Sequence, residues 1–198
     1  MKKIIVVFAL CFVTTTTFAK NPYGKRNDQS CAKFYVGLST GINNHSGFLG
    51  VNFDVPVTGH FSLGTGLGLS SWGYKSYGEG RFYFKECNRG WALGAGVTYN
   101  TGFDDFIVEM PTTIGTTDVS MNLEPTANVA VSAYHFFNLG RGNHRFYLQL
   151  GWSQRMNDTP YVITSGHTLN ADGKTAMNFV TPGGLIFGFG FSFGLGGR

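Results

Sequence analysis

The sequence predicts an all-β fold, an eight-stranded antiparallel up-and-down barrel that crosses a membrane with its strands. Three observations lead there. Apolar residues recur at every second position in eight segments, and no stretch holds an i, i+3, i+4, i+7 apolar pattern over several turns. Charged residues are only 13% of the 198, about half the usual share, while the 29 glycines are about twice theirs. The third observation is that the alternate positions in these segments are mostly Gly, Ser, Asn and Thr, where a water-facing surface would carry Lys and Glu.

The first element is a targeting segment. Lys2 and Lys3 precede an apolar run from Ile4 to Val13, followed by a Thr-rich stretch ending in Thr17-Phe18-Ala19. This is the plan of a secretory signal peptide, with cleavage expected after Ala19. The run is too short to span a bilayer, which takes roughly 20 residues. Cys11 lies within it and is removed with it. Cleavage leaves residues 20–198, and loss of Lys2 and Lys3 lowers the formal charge from +4 to +2. No basic patch then argues for nucleic acid. Residues 20–33 read as a periplasmic N-terminal segment and residues 34–198 as the barrel.

Strand one alternates Phe34, Val36, Leu38, Thr40 and Ile42 with Tyr35, Gly37, Ser39 and Gly41. Strand two carries Leu49, Val51, Phe53, Val55 and Val57, and the turn Thr58-Gly59-His60 leads into Phe61, Leu63, Thr65, Leu67 and Leu69 of strand three. In strand four, Gly78, Gly80, Phe82 and Phe84 oppose Tyr77, Glu79, Arg81 and Tyr83. Strand five follows a turn and presents Trp91, Leu93, Ala95, Val97 and Tyr99 against Ala92, Gly94, Gly96 and Thr98. Residues 101–118 read as a loop. Strand six is expected from Val119 to Ala133, with Pro125 as an irregularity inside it. After a turn at 138–144, strand seven carries Phe146, Leu148, Leu150 and Trp152. A polar loop at 157–178 precedes the last strand, where Phe187, Phe189, Phe191 and Phe193 alternate with Gly188, Gly190 and Ser192.

With no helix expected to cover the apolar faces, lipid is the cover that fits. A small barrel has an interior just wide enough to be filled by side chains, so small residues belong inside and large apolar ones outside. Phe34, Phe61, Phe84, Trp91, Phe137, Phe146 and Phe193 fall on the outward face at one end of seven strands. That is where an aromatic girdle would meet lipid headgroups.

The signal peptide, the eight alternating segments and the aromatic last strand at 185–195 resemble the small Gram-negative outer-membrane β-barrels, including the transmembrane domain of outer membrane protein A. The resemblance covers the whole mature chain and speaks to architecture more than activity. It implies outer-membrane localisation, contact with outer-membrane lipids and the barrel assembly machinery, and a monomer. Members often end on Phe, which serves assembly. Here Phe193 is followed by Gly194-Leu195-Gly196-Gly197-Arg198, so that signal would be internal.

Asp54, Glu79, Arg81, Glu124 and Arg155 fall on the expected lumen face, where charges are costly unless paired. The large residues of strand four lie between glycine-lined strands three and five, which gives them room. Interior width favours a packed, closed lumen over a small-solute pore. Function is then expected in a structural or surface-binding role, with the loops at 101–118 and 157–178 facing an unidentified extracellular ligand. One alternative is a lipid-modifying enzyme, because His60-Phe61-Ser62 resembles the His-x-Ser part of lipid A deacylases. The triplet falls at a periplasmic turn, no acid is evident beside it, and no catalytic residue is assigned. Another alternative is a soluble lipocalin-like carrier. His45-Ser46 reads as a solvated loop pair, and His135, His144 and His167 lack metal-ligand spacing, so neither metal nor cofactor is expected. Cys31, before strand one, and Cys87, after strand four, are the candidate disulfide. A bridge needs Cα atoms within about 7 Å, so the chain before Phe34 would have to cross the barrel opening.

Overall fold

The computed structural model describes residues 31–139 and 143–196, so the signal peptide and most of the segment after it lie outside the described residues. Eleven strands follow in order: β1 (Phe34–Ile42), β2 (Leu49–Pro56), β3 (Phe61–Ser70), β4 (Gly73–Lys85), β5 (Arg89–Asn100), β6 (Phe103–Thr112), β7 (Gly115–Leu123), β8 (Thr126–Leu139), β9 (His144–Arg155), β10 (Tyr161–Ile163) and β11 (Gly184–Leu195). One described helix, α1 (Ala171–Val180), precedes β11.

Eight strands close into an antiparallel barrel in the order β1-β2-β3-β4-β5-β8-β9-β11. Each pairs with the next barrel strand in sequence, and β11 closes on β1 from Phe34↔Leu195 to Ile42↔Phe187. The strand positions follow from the alternation. Large apolar residues point out, among them Leu38, Leu63, Leu67, Leu93, Val97, Leu150 and Phe187. Their neighbours along each strand, among them Tyr35, Asn52, Glu79, Arg81, Gln149 and Ser192, are buried inside.

The two ends differ. At one, β2–β3 and β4–β5 are joined by short turns at 57–60 and 86–88, and β8, ending at Leu139, is followed by β9 from His144. At the other, the β3–β4 turn is also short, but β5–β8 and β9–β11 are joined by long excursions. Both excursions enter a second sheet, β10-β7-β6, which lies outside the barrel. Its core holds Trp72, Met110, Val119, Met121, Leu123, Leu169 and Met177.

This second sheet corrects the sequence reading at three places. The expected loop at 101–118 is β6 and part of β7. The expected single strand from Val119 to Ala133 is two strands in different sheets, divided at Glu124-Pro125, since proline cannot donate to a ladder. Alternation runs in phase across the break, so periodicity alone cannot reveal it. Val119 and Met121 are fully buried under the side sheet, whereas Val129 and Val131 on β8 are 47% and 45% exposed on the barrel exterior. The expected loop at 157–178 contains β10 and most of α1. The helix starts at Asn170, whose side chain accepts from the Gly173 amide at 2.9 Å. It buries only Gly173 and Met177, too few positions to show a helical period in sequence.

Candidate functional site

Among the described residues, buried charges meet in ion pairs in the lumen. From the short-turn end upward, Arg145 on β9 donates to the Asp54 carboxylate and, at 2.8 Å, to the Asn88 carbonyl. Its guanidinium also lies 3.6 Å from the centre of the Tyr35 ring. Asp54 accepts from the Tyr83 hydroxyl at 3.1 Å and faces Arg81 at 3.4 Å. Arg81 reaches Glu79 at 3.3 Å, and Glu79 accepts from the Tyr134 hydroxyl at 2.8 Å. Two guanidiniums therefore balance two carboxylates in a continuous chain across β2, β4, β8 and β9.

The loop end is plugged by the β1–β2 loop. Asn44, His45 and Ser46 turn inward and are buried. Nε2 of His45 stands 3.4 Å from Glu79, and its Nδ1 meets the Gln149 amide. Ser46 donates to Asn52 Oδ1 at 2.7 Å, and the Asn52 amide donates to the Tyr147 hydroxyl at 2.9 Å. The sequence reading of a solvated His45-Ser46 pair is thus corrected: the loop is short enough to fold into the barrel, where polar partners await it. Burial, which outweighs the attraction of Glu79, holds the His45 pKa below its ordinary value.

Glycine makes room for this network. A Cβ on Gly64 would stand 3.0 Å from the Arg81 guanidinium carbon, and one on Gly66 would stand 2.5 Å from the Tyr77 ring. One on Gly94 would collide with the Glu79 carboxylate. Strands β3 and β5 are small inside because β4 between them is large.

Of the five charges expected in the lumen, Asp54, Glu79 and Arg81 come together. Glu124 and Arg155 lie outside that cluster. Glu124 sits in the β7–β8 link, where its carbonyl accepts from the Trp72 indole at 3.0 Å. Arg155 ends β9 and donates to the Asn157 carbonyl at 2.8 Å. The break at Pro125 removes the first from the barrel wall, and the end of β9 leaves the second at its mouth. Sequence reasoning missed Arg145 and Lys75. Each continues the inward parity of its strand, Arg145 with Tyr147 and Gln149, Lys75 with Tyr77 and Glu79. Both strands begin earlier than the apolar alternation showed, β4 at Gly73 and β9 at His144.

Outside, Phe34, Phe61, Phe84, Trp91, Phe137, Phe146 and Phe193 all occupy the short-turn end. Ring centres are 6.0 Å apart for Phe137 and Phe146 and 6.1 Å for Phe34 and Phe53. His135 links Trp91 at 4.7 Å to Phe137 at 4.3 Å. Phe53, Phe82, His135 and Phe191 join the same belt. At this end Cys31 and Cys87 form a disulfide with Cα atoms 5.0 Å apart. It ties the chain before β1 to the β4–β5 turn across the opening.

His60 and Ser62 do not engage one another. A ring nitrogen of His60 contacts the Tyr83 carbonyl at 2.9 Å, while Ser62 points inward to the Tyr83 hydroxyl at 3.4 Å. Among the described residues no group of three or more His, Cys, Asp or Glu is placed to hold a metal ion. Comparison of the chain with models of protein families, with curated proteins and with solved structures finds no match.

Proposed function

We propose that this chain spans the outer membrane of a Gram-negative cell as a monomeric barrel with a closed lumen, and that it serves as a structural or surface-binding protein through its long-loop end. The observation that carries the reading is the inverted polarity. An ion-paired interior lies inside an exterior of exposed Leu, Val and Phe that runs around the barrel. In water such a surface would far exceed the few hundred Å² of contiguous apolar patch that soluble monomers tolerate. In lipid it needs no cover, and closure leaves no unpaired strand edge. Barrel strands of 8 to 14 residues suit a bilayer, which takes about 9–11 when tilted. The aromatic belt at the short-turn end fits the periplasmic interface, with the side sheet and α1 then on the outer surface.

The closed lumen is supported by Arg81, Arg145, Tyr77, Tyr83, Tyr134 and the inserted His45 filling the bore. A lipocalin-like carrier would have the opposite polarity, apolar within and charged without.

Cell fractionation tests the reading. The protein should sediment with the outer membrane and migrate differently on gels before and after heating, and recovery in the soluble periplasmic fraction would overturn it. In planar bilayers the purified barrel should give no stable conductance.

A further inference from the structure

The lumen contains one cation more than its pairing accounts for. Arg81 and Arg145 are matched by Glu79 and Asp54, but Lys75, the third residue of β4, has no carboxylate within 4.0 Å among the described residues. It is only 3% exposed, and of its three N–H donors one is used, on the Asn43 carbonyl at 3.3 Å. A buried ammonium without a counter-ion is costly, and nothing in the barrel's closure requires a lysine there.

Lys75 stands at the wall of a pocket of about 300 Å³ in the loop-side mouth. The rest of the lining is mainly apolar, from Ile42 and Phe48 beside the β1–β2 loop and Phe179 and Val180 at the end of α1. This wall is fixed in place. Asn43 donates to the Gly183 carbonyl at 2.6 Å, and Ser71 donates to the Val180 carbonyl at 3.2 Å. Met177 anchors the helix in the side-sheet core, which leaves Phe179, two residues on and on the other face, 85% exposed at the pocket rim. Ile42 belongs to the outward face of β1, so the pocket runs from the buried ammonium out to the apolar barrel exterior.

We propose that this pocket binds an anionic amphiphile, with its head group on Lys75 and its acyl chain lying between Ile42, Phe48, Phe179 and Val180. One compact ammonium with no arginine fork beside it suits a single negative charge, a carboxylate or a monoanionic phosphate ester. The pocket volume matches the small end of ligand sites, roughly 300–1,000 Å³. The proposal deepens the surface-binding reading and rests on it.

The test is calorimetric titration of octanoate into the full chain in phosphatidylcholine nanodiscs, with octanol as the uncharged probe. Octanoate should bind saturably at one site and octanol at least tenfold more weakly. Lys75→Met should lose at least tenfold in octanoate affinity. Phe179→Asp, at a position too exposed to disturb folding, should lose as much. Equal binding of octanoate and octanol, wild-type affinity in both variants, or no saturable octanoate binding would overturn the site. Discs containing phosphatidylglycerol identify the source: a tenfold weaker octanoate affinity in them assigns the anion to a membrane lipid, and an unchanged affinity assigns it to a free amphiphile, both upholding the site. Neither variant alters fractionation, so failure here leaves the membrane reading standing. A soluble chain would be titrated in buffer, where octanoate binding would keep the site without the membrane.

Discussion

Glycines of the same strand environment have opposite tasks on the two faces of the wall. Gly66 faces inward, where an added methyl group would meet the Val51 carbonyl and the Tyr77 ring. Gly78 faces outward with nothing within 4 Å of the same position. Gly66→Ala should therefore destabilise the barrel by about 1–3 kcal/mol, the usual cost of overpacking. Gly78→Ala should stay within roughly 0.5 kcal/mol of wild type. Urea unfolding in detergent micelles would separate the two. His45 makes a second test at this scale. It is surrounded by Glu79, Arg81, Lys75, Gln149, Tyr77 and Tyr134, and burial depresses its pKa below the ordinary 6.5. Below that pH the unfolded chain binds a proton that the folded one resists, so stability falls as pH drops from about 6.5 toward the folded pKa. In His45→Gln that increment of acid sensitivity should vanish. Unfolding midpoints of both proteins between pH 7 and pH 5 would show it, and parallel curves would refute it.

Among the elements, the excursions between β5 and β8 and between β9 and β11 form a packed unit rather than loose loops. Trp72 from the β3–β4 turn, the apolar faces of β6 and β7, Leu169 and Met177 share one buried core. The helix α1 joins this core chiefly through Met177. Met177→Asp should release the helix, raising protease cleavage within residues 157–183 severalfold, while the barrel keeps its heat-modifiable migration. Loss of that migration would mean that the side sheet is needed to close the barrel. The sequence could not mark this unit, because β7 and β8 alternate in phase across Pro125 and because one buried methionine makes no helical period.

At the scale of the whole molecule, the described chain ties down both ends of the barrel. The β1–β2 loop inserts His45 and Ser46 from one side, and at the other the Cys31–Cys87 bridge ties residues 31–33 to the β4–β5 turn. The bridge spans 56 positions of sequence, so it restricts the unfolded chain over the first four strands. Replacing both cysteines by serine should lower stability by about 2–4 kcal/mol. The same loss should follow reduction of the wild-type protein, and mass mapping without reductant should recover the linked peptides. Unchanged stability in the double variant would show that residues 31–33 are held by their other contacts.

The sequence by itself determined that the chain forms eight barrel strands and which face of each turns outward, because a period of two is a local property of a pleated strand. It also fixed three of the lumen charges, Asp54, Glu79 and Arg81, by their parity. Only the tertiary structure decided that Val119 and Val129 belong to different sheets, that Glu124 and Arg155 stay out of the network, and that His45 enters the bore. These depend on which segments meet across the closed wall, and contact between residues as far apart as Asp54 and Arg145 leaves no trace in local alternation.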